Sequence, residues 1–337
     1  MRLRRSDLTR PGYHRVRRGA GFRYLDADGR AVPEVDRLRI AALAIPPAWR
    51  EVWISPHPNG HIQAVGTDDA GRRQYLYHQQ WRTDRDRVKH ARALRLSRRL
   101  GAVRQAVSAD LVRPRLDRRR VTAVALRMLD YGVFRVGGEA YLAEHGSHGV
   151  ATLLRDHVRV RRGQVLFDFP AKGGLQRTVT FADEPLARAV TALRRARSGS
   201  ERLLVFLGPH GWQELRADAV NETFKLLAGP AYSVKDLRTW QGTVVAAVAF
   251  AQVERPGSKA ARTRAEREVM QTVAEELGNT PAVARRSYVD PVVVERFGQG
   301  RTIARTLRRL GYQRLPDLAQ PRVRLPVEAA VARLLRD

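Results

Sequence analysis

The sequence contains no cysteine. Disulfides, thiolate nucleophiles and cysteine-ligated zinc are therefore excluded. A long apolar run is also missing. The longest weakly polar stretch, GTVVAAVAFAQV, is too short to span a bilayer and reads as a buried helix, so no membrane partner is expected. The opening MRLRRSDLTRPG is basic, but no apolar segment follows it. A signal peptide is not expected and the expected location is cytoplasmic. No GKS or GKT phosphate loop is present, which removes the usual engine for ATP-driven work. Acidic residues are scarce, with 34 Asp plus Glu against 62 Lys plus Arg, a formal +28. Lysine is scarce too and is confined to Lys89, Lys172, Lys225, Lys235 and Lys259.

What replaces them is arginine, a rigid donor fork suited to phosphate oxygens. A field of this sign attracts polyanions, and a nucleic-acid backbone is the leading partner. The nine histidines are scattered. His145 and His148 in EHGSHG are close, yet no third ligand stands beside them, so a loop is expected and no metal.

The length suits two folded domains. The front of the chain reads as β-rich. GFRYLDADGRAV surrounds an Asp-Gly turn, Trp53 and Ile54 precede an Asn59-Gly60 turn, and GRRQYLYH alternates. From about Trp81 the spacing becomes helical, with Val88, Ala91, Leu94 and Leu100 set among arginines. That face is either solvated or also meets phosphates. Val121, Val124, Ala125, Met128 and Leu129 form a second apolar stripe, which Gly132 ends. HVRVRRGQVLFDFPAKGGLQRTVTF returns to strands, with a turn around Lys172. Helices are expected near 183–197, 211–227, 235–254 and 260–277. The predicted class is α+β: a β-rich domain over 1–82 and a mainly helical domain over 83–337.

Tyr288 lies in GNTPAVARRSYVDP. Thr280 is a good N-cap with Pro281 at the first helical position, and Asp290-Pro291 offers a second start. Tyr288 thus falls between two short helices, as a half-buried packing residue or as a hydroxyl that enters a cleft. A phenol is a poor nucleophile at neutral pH unless cations grip the electrophile in line. Arg135 in VFRVGGEAYL follows a helix end, beside glycines that would let a DNA backbone approach. Arg238 in SVKDLRTWQGT follows Ser233 and Asp236, either of which could cap a helix. Lys172 in FPAKGG occupies a turn, where it is a plain exposed lysine or a proton donor. In RRQYLYH, Tyr75 and Tyr77 share one side of a strand and Gln74 and His78 the other. The tyrosines are a core-facing pair or a surface for sugars and phosphates, and Gln74 could address a base edge.

FRVGGEAY, FPAKGG, KDLRTW and GNTPAVARRSYVDP, in that order, together with IPPAWREVWISPHPNGHIQAVGTDDAGRRQYLYH, resemble the type IB DNA topoisomerases of the compact poxvirus-like and bacterial kind. The resemblance spans nearly the whole chain. It implies that Tyr288 forms a 3′-phosphotyrosyl bond to one DNA strand, and that Arg135 and Arg238 clamp the scissile phosphate. It implies Lys172 as general acid for the 5′-hydroxyl and Lys235 as an auxiliary lysine. It implies Gln74, Tyr75 and Tyr77 at the major groove. The implied partner is duplex DNA, preferably supercoiled, gripped by a monomeric clamp associated with the nucleoid, with no cofactor. One departure stands out: the family often has histidine where this chain has Asn279. An asparagine amide can donate the same hydrogen bond but cannot act as an acid. Tyrosine recombinases share the nucleophile and clamp, yet commonly carry histidine where this chain has Asp236. A non-enzymatic architectural DNA-binding protein accounts for the charge alone.

Overall fold

The computed structural model describes residues 2–254, 256–312, 318, 320 and 321–336, with backbone only at Tyr141 and Pro321. The architecture is mixed α+β, with a small β-rich amino-terminal region followed by a larger helical one. Two compact units divide after Val88, at Met1–Val88 and Lys89–Asp337.

The first unit is built on a five-stranded antiparallel sheet of order β2-β1-β3-β4-β5. Its strands are β1 (Tyr13–Arg18), β2 (Gly21–Leu25), β3 (Arg50–Ile54), β4 (Ile62–Thr67) and β5 (Arg73–Tyr77). Two of its loops read alike, DADGR and DDAGR. In each, the leading aspartate accepts hydrogen bonds from the backbone two and four residues on: Asp26 from Asp28 and Arg30, Asp68 from Ala70 and Arg72. Gly29 and Gly71 supply the positive φ these loops need, +77° and +73°. Helix α1 (Glu34–Ala42), which strand alternation does not announce, presses Ile40 into a core with Val32, Ile45, Val52, Ile54 and Ala64. The expected tight turn at Asn59-Gly60 is instead a longer loop over 55–61. A Cβ on Gly60 would stand 2.5 Å from Ser55 Oγ, so the glycine there serves packing.

Helix α2 (Gln79–Ser97) runs through the division between the units, and α3 (Leu100–Leu111) follows it. Their buried face is Ala93, Leu96, Leu100, Val103, Val107 and Leu111. Val88 and Ala91, expected on that stripe, are exposed, because the buried face of α2 is the one that carries His90, Ala93 and Leu96. Helix α4 (Arg118–Asp130) is capped by Asp117, and Gly132 beyond it has φ +79°. Helix α5 (Glu139–His145) and two short 3-10 turns lead into a three-stranded antiparallel sheet, β6 (Val158–Arg161), β7 (Gln164–Pro170) and β8 (Gln176–Ala182). Val165, Phe167 and Phe169 alternate inward along β7. They are followed by α6 (Glu184–Arg195), the hairpin of β9 (Val205–Gly208) and β10 (Gly211–Glu214), and α7 (Ala217–Ala228). The helix expected from 211 therefore begins only at Ala217; Trp212 and Gln213 pair with Leu207 and Phe206.

Helix α8 (Val234–Gln252) is the axis of this unit: every residue from Asp236 to Phe250 is buried. An apolar helix on all sides belongs inside a protein. Around it pack α9 (Lys259–Leu277), α11 (Pro291–Gly298), α12 (Ala304–Arg309) and α13 (Pro321–Leu334); the short α10 (Pro281–Ser287) packs on α9. Among the described residues no helix is long and apolar enough to cross a membrane.

Candidate active site

The site is organised by the carboxyl end of α9. Gly278 adopts φ +58°, its N–H donating to Glu275 O and that of Asn279 to Ala274 O, a left-handed helix stop. Such an end still exposes carbonyls that want donors, and it carries partial negative charge. Three guanidiniums from distant segments meet it. Arg177, on β8, donates to Glu275 O at 2.6 Å and Glu276 O at 2.5 Å. Arg238, on α8, donates to Leu277 O. Arg135, in the loop after α4, reaches Gly278 O at 3.4 Å and Asn279 Oδ1 at 2.5 Å.

Arg238 is only 6% exposed. Its Nη1 lies 2.7 Å from Gly132 O, with Val133 O and Phe134 O just beyond, while its buried Nε has no partner among the described residues. Burial, then repulsion from Arg135, pushes its pKa down to about 10, with Tyr288 acting in the opposite sense. It remains a cation at neutral pH. A buried unpaired N–H is costly, and an anion's oxygen would satisfy it.

Tyr288 closes α10 and is partly buried; its ring centroid lies 5.2 Å from the Arg238 guanidinium carbon. Its placement depends on α8, where Gly242 is one turn beyond Arg238 on the same face. A Cβ on Gly242 would come within 2.7 Å of Tyr288 Cβ, so only glycine admits the tyrosine here. The next residue, Thr243, fixes the turn: its hydroxyl is 3.1 Å from Tyr288 O and accepts from Asp290 N. Thr280 caps α10 and Asp290 caps α11, as their sequence positions suggest.

The Arg135 loop is held equally firmly. Val150 N and Ala151 N donate to Arg135 O and Val136 O at 2.9 and 2.8 Å. Phe134 stacks on Phe169 and meets Phe167 edge-on. Gly137 is bare because Gly149 presses on it, a Cβ there meeting Gly149 Cα at 2.7 Å; Gly138 faces open space. Asn279 presents its oxygen to Arg135, which turns its amide nitrogen, a donor, the other way.

Arg135, Arg238, Asn279 and Tyr288 are thus brought together. Lys172 lies at the exposed tip of the β7–β8 hairpin, followed by Gly173 and Gly174 at φ +86° and +73°. Lys235 is exposed in the first turn of α8, three residues before buried Arg238 and so its neighbour along the helix surface. Asp236, beside it, is 1% exposed and accepts from Ser233 N and from Arg92, both at 2.8 Å; its role is structural. In the first unit, Tyr75 is 37% exposed and stacks on Tyr77 at 6.0 Å, away from Leu76, which joins the core. The pair therefore does not face the core. Gln74 donates to Asp68 within its own hairpin at 2.9 Å. His148 Nδ1 lies 2.5 Å from Thr152 O and its ring meets His157 edge-on, and the described residues contain no group of three or more His, Asp or Glu suited to a metal.

Sequence reading missed Arg177, Gly242 and Thr243. An isolated glycine inside the apolar α8 pattern is a signal that something approaches closely there. For Arg177, one arginine among many, no local signal exists.

A buried arginine and a half-buried one at a helix end, a tyrosine against the first and an amide bonded to the second thus form one cluster. Comparison with known proteins gives it a family. Residues 78–305 match the family described as eukaryotic DNA topoisomerase I, catalytic core, and residues 21–68 match the bacterial DNA topoisomerase IB amino-terminal domain. The chain belongs to the type IB DNA topoisomerases. It is also similar to a DNA topoisomerase 1B of Acanthamoeba polyphaga mimivirus, 27% identical over 85% of this chain and 87% of that protein.

Proposed function

We propose that this protein relaxes supercoiled duplex DNA by cutting one strand, letting it turn about the other and resealing it, with no ATP, metal or organic cofactor. Tyr288 attacks the scissile phosphorus. The phenolic oxygen bonds to phosphorus as the P–O5′ bond breaks, the phenolic proton passes to solvent water, and Lys172 gives a proton to O5′. Lys235 assists the proton transfer. Arg135 and Arg238 hold the non-bridging oxygens and stabilise charge in the transition state. The 3′-phosphotyrosyl bond retains the energy of the broken linkage, so the free 5′-hydroxyl reseals the strand by the reverse steps. Arg73, Tyr75 and Tyr77 offer a face for the duplex, and Gln74 reaches a base edge by exchanging its bond to Asp68. The protein acts as a monomer gripping duplex DNA in the cytoplasm, at the nucleoid.

The observation that carries this reading is the meeting of Arg135, Arg238, Asn279 and Tyr288 at the end of α9, with a buried Arg238 N–H left for an anion. Lys172 completes the set when the glycine-flanked hairpin tip moves toward the phosphate. Asp236 argues against the recombinase reading, because Ser233 and Arg92 already occupy it.

Supercoiled plasmid quenched with detergent tests the proposal. Wild type is expected to relax the plasmid in the presence of a chelator and to leave a protein–DNA adduct. Tyr288→Phe is expected to do neither. Relaxation by Tyr288→Phe, or a strict magnesium requirement, would contradict the assignment.

A further inference from the structure

The Lys172 hairpin and the Asn279 turn lie far apart in sequence, yet one side chain joins them. Arg177 is the β8 partner of Phe169, and Phe169 is buried on Phe134, beside Arg135. Pairing of β7 with β8 continues without a break to Pro170 and Gln176, and His148 N donates to Pro170 O at 2.8 Å. The pairing extends one step further, with Ala171 N donating to Leu175 O at 2.9 Å, so the base of the hairpin is fixed and the turn over 172–174 is what projects from it. From that fixed base Arg177 spans to α9, with one Nη on Glu275 O and the other on Glu276 O. Its guanidinium carbon is 3.4 Å from where a Cβ of Gly278 would stand, so it lies directly against the turn that carries Asn279.

We propose that Arg177 is a positioning residue that locks the base of the Lys172 hairpin to the end of α9, so that the proton donor and the phosphate-binding turn reach the scissile linkage in one fixed relation. The inference rests on the strand-transfer reading above. Holding a cation here is costly, which argues that the position serves a purpose. Its Nε is buried without a partner among the described residues, and burial, with Arg135 nearby, lowers its pKa. Two carbonyls at a helix end offset that cost, and both are reached only while hairpin and helix keep their present spacing. A fork with two parallel donors fixes orientation as well as distance; a lysine ammonium would fix only distance.

The decisive measurement uses the leaving group. A strand with sulfur in place of the bridging 5′ oxygen expels a thiolate, which needs no proton donor. With full-length protein under single-turnover conditions, Arg177→Ala is expected to cleave the ordinary strand at least ~10-fold more slowly than wild type, a part of the 10²–10⁴-fold that a placed acid supplies. On the sulfur-bridged strand it is expected to fall within ~3-fold of wild type, the ratio a lost acid produces. Arg177→Lys is expected to lie between the two variants on the ordinary strand. Equal slowing on both strands would overturn the inference, since the defect would then lie in phosphate binding or folding. Wild-type cleavage of the ordinary strand by Arg177→Ala would overturn it as well. Failure of wild type to form a Tyr288-dependent adduct would remove the strand-transfer reading and this inference with it.

Discussion

At the scale of the residue, the chemistry turns on which donors are already spent. Arg238 has given an N–H of each terminal nitrogen to carbonyls, and its buried Nε has no partner among the described residues, so what it can offer an anion is the N–H groups that remain. Asn279 has committed its oxygen to Arg135 and its amide nitrogen lies 3.5 Å from Leu277 O, so its offer is the second amide N–H. On the proposed reading, asparagine serves where the family often has histidine because the position requires a donor and both side chains provide one. Asn279→Ala is expected to slow single-turnover cleavage by about 10²-fold, the usual cost of one oxyanion donor, while Asn279→His stays within about 10-fold of wild type. If both variants cleave like wild type, the role assigned to Asn279 is wrong. The caps Thr280 and Asp290 were legible in the sequence because capping is local chemistry. Tyr288 was legible as a junction residue for the same reason. That it rests on Gly242 was not, because the two are joined only by the way the junction between α10 and α11 meets α8.

At the scale of the element, α8 is held by a buried charge cluster. Arg104 of α3 and Arg324 of α13 each bind both Asp130 of α4 and Glu328 of α13. Trp240 of α8 donates to Glu328, and Arg324 to Gln241 Oε1. Burial alone would raise both carboxyl pKa values, but the two guanidiniums outweigh it and hold Asp130 and Glu328 below the ordinary range. Such a cluster is costly to break, because one partner's loss leaves the others buried and unmatched. Glu328→Gln is expected to destabilise the protein by about 3 kcal/mol in chemical denaturation at neutral pH. The pH dependence follows from the sign of the shifts. A carboxyl with a lower pKa in the folded state contributes stability above its unfolded value, near about 4, and loses it as pH falls through the folded value. The stability of wild type is therefore expected to drop below about pH 4, and that of Glu328→Gln to drop less steeply there. Unfolding free energies within ~0.5 kcal/mol of each other at pH 7 would show the cluster to be dispensable. Helices α3, α4 and α8 were readable from period and turn signals, whereas α13 and the partners of Arg104 and Arg324 were not. Salt bridges across such sequence separations depend on packing that no spacing encodes. The same limit hid Arg177, and it turned the expected helix at 211–214 into β10, whose pairing with β9 overrode local preference.

At the scale of the whole molecule, the excess of +28 governs how long the protein stays on its substrate. Each phosphate neutralised releases a condensed counterion, so the logarithm of affinity falls linearly with the logarithm of salt, by about 0.9 per contact on duplex DNA. The functional cluster does not escape this field: Arg135, Arg177 and Arg238 add their own charge at one helix end. Chemistry and binding nevertheless respond to salt differently. The arginines that would act on phosphorus are buried or half-buried and held by carbonyls, where screening is weak, whereas most of the excess charge is solvated and screened over about 8 Å at physiological salt. Added salt should therefore loosen binding long before it disturbs cleavage. At low salt the strongest field also makes release slowest, and on the proposed reading turnover on a plasmid is then limited by departure. Steady-state relaxation is expected to rise from the lowest salt to a maximum and then fall, while the single-turnover cleavage rate at saturating enzyme stays flat across the rising limb. A relaxation rate that declines from the lowest salt onward would mean that binding or chemistry, and not release, sets the pace of this enzyme.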